Sequence, residues 1–183
     1  ALCLQLPDMA IVIGVFISFP LMVTYSTNLK GKYLIGNLVV SSLLGASFLF
    51  VGASHEIISP MLIPMLLAFG LTFLREIIKD VADIEGDLSL GLKTYPIISG
   101  VDSYRRIIIS LCLLVGFFSL VPYLMGIYGP GYLLLLMIGV EIPLIIIMFI
   151  FFKNPSISSA IFSARLLKFS TLMGLLSIYC GTV

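Results

Sequence analysis

The stretch from Tyr132 to Phe152 reads YLLLLMIGVEIPLIIIMFIFF and contains one charged residue, Glu141. About 20 mostly apolar residues suffice for a helix to cross the hydrocarbon core of a bilayer, which is roughly 30 Å thick. A strand of a membrane barrel would instead alternate apolar and polar residues over about ten positions. This stretch does not alternate, so it predicts a transmembrane helix.

Five more stretches share this length and this lack of charge. Short segments rich in Gly, Pro, Asn and Ser separate them, as turns between helices require. The sequence therefore predicts an all-α fold, a polytopic transmembrane helical bundle with six spans in this chain. The other five spans are approximately Met9–Tyr25, Leu34–Gly52, Ile57–Leu74, Ile107–Leu124 and Ser158–Cys180.

The composition excludes several classes of protein. Of the 183 residues, 60% are hydrophobic and 10% are charged, whereas soluble domains carry about 25% charged residues. Disordered chains need low hydrophobicity and high charge. A net charge of +1 gives too weak a positive field to attract nucleic acid, so we expect no nucleic acid among the partners. The high hydrophobic content makes membrane lipids the expected partners. Cys3, Cys112 and Cys180 are too dispersed for a disulfide framework or a zinc site.

Among the loops, only alternate ones carry positive charge. Because Lys and Arg are retained on the cytoplasmic side, the first, third and fifth loops are predicted to be cytoplasmic, and the protein a multi-pass protein of the cell membrane. Ala1 would then lie outside. The chain does not begin with Met, and an odd number of spans missing upstream would suit this orientation. The charges are Lys30 and Lys32, then Lys79, Lys93, Arg105 and Arg106, then Lys153.

Acidic residues concentrate in residues 75–87, REIIKDVADIEGD, which are predicted to continue the third span as an unbroken helix. Glu76, Asp80, Asp83 and Asp87 follow one another at spacings of four, three and four, so they share one helical face. Their mutual repulsion calls for a cation. Mg²⁺ suits them because it prefers oxygen ligands and is often held by one or two carboxylates plus substrate phosphates. Asp83 and Asp87 form the best pair.

The same row of acidic side chains has a simpler interpretation as a solvated helix end. Arg75 and Lys79 would then pair with Glu76, Asp80 and Asp83, in contacts worth only about 0.3–0.5 kcal/mol each. An alternative to the unbroken helix is that Gly86 loosens it before Asp87 and puts that carboxylate on a turn; either geometry leaves Asp87 near Asp83. Glu85 points to the opposite side.

Three charged residues inside spans also have two interpretations each. Arg165 and Lys168 would either extend to the cytoplasmic interface or line a polar cavity. An intramembrane carboxylate is a functional candidate by default, but Glu141 suits equally well a protonated, hydrogen-bonded structural acid.

Residues 83–94, DIEGDLSLGLKT, resemble the second aspartate-rich motif of the UbiA-type intramembrane prenyltransferases. The similarity includes the Asp-x-x-x-Asp pair and the Gly-x-Lys-Thr that follows, and the preceding REIIKD is similar to the archaeal and photosynthetic branches. Residues 25–30, YSTNLK, are similar to the Tyr-x-x-x-Leu-Lys element of the same family. Both segments fall on the predicted cytoplasmic side.

The resemblance implies a protein with nine spans, of which residues 1–183 would be the last six in a single prenyltransferase-like domain. The first three spans and the first aspartate-rich motif would be missing. It implies Mg²⁺ as cofactor, held by the catalytic residues Asp83 and Asp87 with Asp80 as auxiliary ligand. Lys30, Lys93 and Tyr25 would bind the diphosphate of the substrate.

The implied activity is Mg²⁺-dependent transfer of a prenyl group from a polyprenyl diphosphate to a lipid-like or aromatic acceptor. The sequence of residues 80–96 is most similar to that of the digeranylgeranylglyceryl phosphate synthases of archaeal ether-lipid synthesis. This similarity implies that a geranylgeranyl group is transferred and that geranylgeranylglyceryl phosphate is the acceptor. Two alternatives stay open: an aromatic-acceptor enzyme of the quinone or chlorophyll type, and a cation-coupled membrane transporter.

Overall fold

The computed structural model describes residues 5–29 and 31–182, and this part of the chain is helical throughout its spans. Six helices are long and apolar enough to cross a membrane, which confirms the predicted all-α bundle. Two short helices lie between the third and fourth long ones. In chain order the helices are α1 Asp8–Leu29, α2 Ile35–Ser54, α3 Ser59–Ala82, α4 Ile84–Ser89, α5 Tyr95–Ser99, α6 Val101–Leu124, α7 Pro130–Lys153 and α8 Ile157–Thr182.

The long helices extend beyond the apolar runs that predicted them. Helix α6 begins at Val101, a turn and a half before Ile107. Its first turns carry an ion pair in which Arg105 lies 3.2 Å from Asp102. Charged residues end an apolar run in the sequence but do not end a helix, because the helix can continue out of the hydrocarbon into water.

The acidic segment is not the unbroken helix that its spacing predicted. Asp83 adopts φ −100° and ψ 9°, so α3 ends at Ala82 and α4 begins at Ile84. The alternative in which Gly86 loosens the helix is also wrong, because Gly86 lies inside α4. The N–H of Asp87 still donates to the carbonyl of Asp83 at 2.9 Å. The two carboxylates therefore stay one turn apart across the break.

The main core lies among α3, α6, α7 and α8. Leu74, Ile77, Ile108, Ile147 and Phe151 are fully buried there, and branched and aromatic side chains of this size supply most of the packing contacts of a helical bundle. A second small cluster, built on Ala10, Ile13 and Ala53, holds α1 against the far end of α2. Helix α1 is otherwise the most exposed of the long helices.

Candidate functional site

A polar pocket of about 150 Å³ lies where α1 ends, α2 begins and α3 ends. The segment after α3 closes its remaining side. Carboxylates, an amide, hydroxyls and ammonium groups of side chains that are distant in sequence meet here. The lining residues are Tyr25, Gly31, Lys32, Gly36, Asn37, Val40, Glu76, Lys79, Asp80, Asp83, Asp87, Leu92 and Thr94.

A buried hydrogen bond joins α2 to α3 at the base of this pocket. Asn37 Nδ2 donates to Asp80 Oδ2 at 2.8 Å, and Asn37 is almost completely buried. A hydrogen bond to a charged group is worth about 1.5–3 kcal/mol. The bond therefore holds the Asp80 carboxylate toward the pocket.

The loops on either side of the pocket are fastened to each other. The backbones of Lys32 and Lys93 form a short parallel bridge, and the rings of Tyr33 and Tyr95 meet edge to face, 5.2 Å apart. Gly31 has φ +75°, and a Cβ there would meet the Leu92 side chain at 2.8 Å. This turn therefore needs glycine, which reaches positive φ without strain.

Two basic residues of α3 are engaged by one acid. Glu76 pairs with Arg75 at 3.1 Å and with Lys79 at 2.9 Å. In the described part of the chain, Asp80, Asp83 and Asp87 form no ion pair. The ion pairs of the solvated-end interpretation are thus present at Glu76, whose side chain is nevertheless only 13% exposed, and absent at the two aspartates.

The electrostatics at the mouth of the pocket disfavour a further negative charge. Burial raises the pKa of Asp87 above its ordinary value, and the nearby Asp83 carboxylate adds to the rise. Thr94 is itself buried, and among the described residues its Oγ1 has no partner at hydrogen-bonding geometry. A cation and a hydrogen-bond acceptor would satisfy these groups.

The donor set suits a hard divalent cation only in part. Among residues 5–29 and 31–182, no three His, Cys, Asp or Glu side chains form a group that could hold a metal ion by themselves. Mg²⁺ does not need such a cage, because one or two carboxylates plus substrate phosphates commonly hold it. Asp83 and Asp87, with Asp80 deeper in the pocket, provide carboxylate oxygens of this kind.

Of the residues predicted for the site, the pocket gathers Asp80, Asp83, Asp87 and Tyr25. Lys93 does not line it, although Leu92 and Thr94 on either side do. Lys30 lies outside the described residues.

The sequence did not indicate Asn37 and Thr94 as site residues, and it gave Lys32 only as one of several cytoplasmic cations that could bind a phosphate group. A polar Asn near the start of an apolar span could have drawn attention to Asn37, because a buried amide needs a partner. Nothing in the sequence alone identifies that partner as Asp80.

The charged residues inside the spans lie elsewhere. Arg165 and Lys168 are exposed on α8 and do not line the polar pocket. Glu141 is buried, and Ser119 Oγ donates to its Oε1 at 2.5 Å. Glu141 is therefore a hydrogen-bonded acid between α6 and α7.

The UbiA prenyltransferase family model matches residues 1–172 of this chain. The chain belongs to this family. A solved structure of a digeranylgeranylglyceryl phosphate synthase in membranes superposes with a TM-score of 0.86 at 31% identity, covering 98% of this chain and 63% of that one. The family and the six apolar helices together make this UbiA protein an integral, multi-pass membrane protein.

Curated relatives in this UbiA family are named digeranylgeranylglyceryl phosphate synthase. The protein of Methanopyrus kandleri is 43% identical over 115 residues, which are 63% of this chain and 42% of that protein. The protein of Methanococcus aeolicus is 36% identical over 160 residues, which are 87% of this chain and 56% of that protein. The chain thus spans about half the length of the curated relatives it matches.

Proposed function

We propose that this UbiA protein transfers a geranylgeranyl group from geranylgeranyl diphosphate to geranylgeranylglyceryl phosphate, a step of archaeal ether-lipid synthesis. The observation that carries the proposal is the pocket in which Asp80, Asp83 and Asp87 lie together without a cationic partner in the described part of the chain. The names of the relatives supply the substrate class. The allylic C–O bond breaks, diphosphate leaves, and the acceptor hydroxyl forms the new C–O bond and loses its proton.

Asp83 and Asp87 would hold Mg²⁺, with Asp80 as auxiliary ligand, on the cytoplasmic face. The ion would neutralise the charge that develops on the leaving diphosphate. Tyr25, Lys32 and the buried hydroxyl of Thr94 face the same pocket and would donate to the diphosphate oxygens, an arrangement that stabilises developing charge. Lys30 and Lys93 would add positive charge from the flanking loops.

The transporter alternative requires polar groups along a path through the bilayer. In this molecule an apolar cavity separates the polar pocket from the buried Glu141 cluster. An ion leaving Asp80 would have to cross that cavity without ligands, at a high desolvation cost. This separation favours the enzyme over the transporter.

The test uses the full-length protein in lipid nanodiscs, with diphosphate release and formation of the prenylated glycerol phosphate as readouts. Asp83→Asn and Asp87→Asn are expected to lower kcat/KM by roughly 10²–10³, the loss typical of removing one charge-stabilising group. Glu85→Gln is the matched control, because Glu85 belongs to the same segment and does not line the pocket. Undiminished transfer by both aspartate variants, or equal transfer in excess chelator, would refute the assignment.

The acceptor is tested separately in the same nanodiscs. We expect geranylgeranylglyceryl phosphate to be prenylated, and p-hydroxybenzoate and other aromatic acceptors to be ignored. Preferential prenylation of the aromatic compound would place this UbiA protein with the quinone-forming branch instead. Cation flux into liposomes without prenyl transfer would favour the transporter.

A further inference from the structure

One acidic side chain, Glu141, lies in the middle of α7 and does not line the polar pocket. It follows Pro130 by 11 residues and precedes Lys153 by 12, which places it roughly 16–18 Å from either end of the helix at about 1.5 Å per residue. The hydrocarbon core of a bilayer is about 30 Å thick, so Glu141 lies near its midplane. Ionisable residues at this depth are costly and usually mark a functional site. The proposed function leaves this one unused.

Both α7 and α6 are adapted to this carboxyl group. Residues Met137–Glu141 form a π-helical turn within α7, and such turns are rare and frequently occur at functional sites. On the facing helix, a Cβ at Gly116 would lie 2.9 Å from Glu141 Oε2. Glycine at this position therefore makes room for the carboxyl group between the two helices.

The hydrogen bonds of Ser119 indicate that Glu141 is a neutral acid. Ser119 Oγ lies 2.7 Å from the carbonyl oxygen of Gly116 and 2.5 Å from Glu141 Oε1. Its single hydroxyl hydrogen serves only one of these two oxygens at a time, and a carbonyl group has no hydrogen to donate. A protonated carboxyl group supplies the second hydrogen. In the described part of the chain no Lys or Arg pairs with Glu141, and an unpaired charge in hydrocarbon costs far more than a neutral acid.

The second carboxyl oxygen faces a groove between α6 and α7. Glu141 is only 8% exposed, yet it lines a pocket of about 170 Å³ that is otherwise bounded by apolar side chains and Gly116. Among the described residues, Oε2 has no hydrogen-bond partner. Three of the lining side chains, Leu113, Phe117 and Ile145, are each more than half exposed. The groove is therefore open at the outer surface of α6 and α7, where a bilayer surrounds the protein.

This combination of groups suits an apolar molecule that carries a hydroxyl group. The apolar walls match an aliphatic chain, and the unpaired carboxyl oxygen offers one hydrogen bond. A hydroxyl group donates to this oxygen when the oxygen is the carbonyl of the acid, and accepts from it when it carries the acid hydrogen. Hydrocarbon contains no water to compete for the bond.

We infer that Glu141 and the groove between α6 and α7 form a binding site for a long-chain alcohol dissolved in the membrane. The site is separate from the polar pocket, which lies where α1, α2 and α3 meet. It does not depend on the proposed function, so either can fail without the other.

Dicyclohexylcarbodiimide, a lipid-soluble reagent for protonated carboxyl groups, tests the charge and the access of Glu141. The acid O–H adds across one C=N bond, so that the oxygen bonds to the central carbon and the hydrogen passes to nitrogen. The adduct rearranges to a stable N-acylurea without a leaving group. In the full-length protein in nanodiscs, peptide mass spectrometry should find the label on Glu141 and not on Asp102, whose side chain is 81% exposed. An unlabelled Glu141 would overturn the inference.

Competition in the same nanodiscs tests the class of ligand. Hexadecan-1-ol should protect Glu141 from the reagent at a concentration roughly two- to tenfold lower than hexadecane requires, the factor that one hydrogen bond within a membrane supplies. Hexadecane is the matched control because it has the same chain without the hydroxyl group. Equal protection by the two, or no protection by the alcohol, would show that no hydroxyl group is recognised.

Gly116→Ala tests the geometry of the groove. The added Cβ would lie 2.9 Å from Oε2, so the carboxyl group should shift or be covered and its labelling should slow severalfold. Ser110→Ala, an exposed position on the same helix, is the control and should react at the rate of the unmodified protein. Unchanged labelling of Gly116→Ala would contradict the placement of Oε2 in the groove. If that variant does not fold, the competition in the unmodified protein decides alone.

Discussion

Asp83 and Asp87 are one helical turn apart and have no basic partner in the described part of the chain. Without a cation their repulsion disfavours the folded state. The raised pKa of Asp87 means that, between the ordinary pKa of a carboxyl group and this raised one, the folded state binds more protons than the unfolded state. The free energy of unfolding is therefore highest at acid pH, and it falls as the pH rises from the ordinary pKa of a carboxyl group through the raised pKa of Asp87.

Asp83→Asn should relieve this repulsion. At neutral pH, with chelator present, we expect the variant to be more stable than the unmodified protein by about 0.2–0.5 kcal/mol, the scale of a like-charge pair one turn apart. The gain should vanish at acid pH, where protonation of Asp87 removes the like-charge pair. Thermal unfolding followed by circular dichroism across this pH range measures it.

Added Mg²⁺ should reverse the order of these two proteins. A ligand at about 100 times its Kd stabilises the folded state by about 2.7 kcal/mol, and Asp83→Asn has lost part of the site. Glu85→Gln should respond to Mg²⁺ as the unmodified protein does. A larger Mg²⁺ response in Asp83→Asn than in the unmodified protein would contradict the assignment of Asp83 to the metal.

At the scale of helices, one amide connects α2 to α3 at the pocket. Asn37→Ala removes the donor to Asp80 and leaves a partly buried carboxylate without its hydrogen bond, at a cost of about 1.5–3 kcal/mol. We expect a lower melting temperature in chelator. The exposed Asn28→Ala is the control, and an equal effect of the two substitutions would show that the bond to Asp80 contributes nothing to stability.

A second element-scale prediction concerns the contact between α7 and α8. A Cβ at Gly139 would clash with the Cβ of Met173, whereas one at Gly174 meets Val140 at an ordinary 3.7 Å. Gly139→Ala should therefore destabilise the protein by about 1–3 kcal/mol, the usual cost of overpacking. Gly174→Ala is the matched control, and we expect it to be neutral or slightly stabilising because alanine favours helix over glycine. Equal melting temperatures for the two variants would refute the close contact.

The helices and the site differ in how far sequence predicts them. Apolar length alone identified the spans, because a bilayer imposes that length. The four-three-four spacing predicted that the acidic side chains lie together, and the pocket confirms it, although the break at Asp83 was missed. The segment after the break folds back against the loop between α1 and α2, a contact that local spacing does not encode. Asn37 and Thr94 join the site through contacts between distant segments, which no local pattern encodes.

At the scale of the molecule, the two ends of the bundle have opposite character. The polar pocket and the basic loops share one end, and α7 and α8 meet through glycines near the other. An apolar cavity with one polar mouth suits a substrate that has a charged head and an apolar tail. Such a substrate enters head outward and is shielded from water along its tail.

The orientation of that mouth is the final prediction. Basic loops are retained in the cytoplasm, so the end that carries Asp83 and Lys32 should face inward. In a background in which Cys3, Cys112 and Cys180 are replaced by alanine, Ser89→Cys on α4 should react with a membrane-impermeant maleimide only after cells are opened. Ile57→Cys, exposed in the loop between α2 and α3, should react in intact cells. The reverse pattern would place the pocket outside, where prenyl diphosphates made in the cytoplasm could not reach it, and would remove the basis of the proposed function.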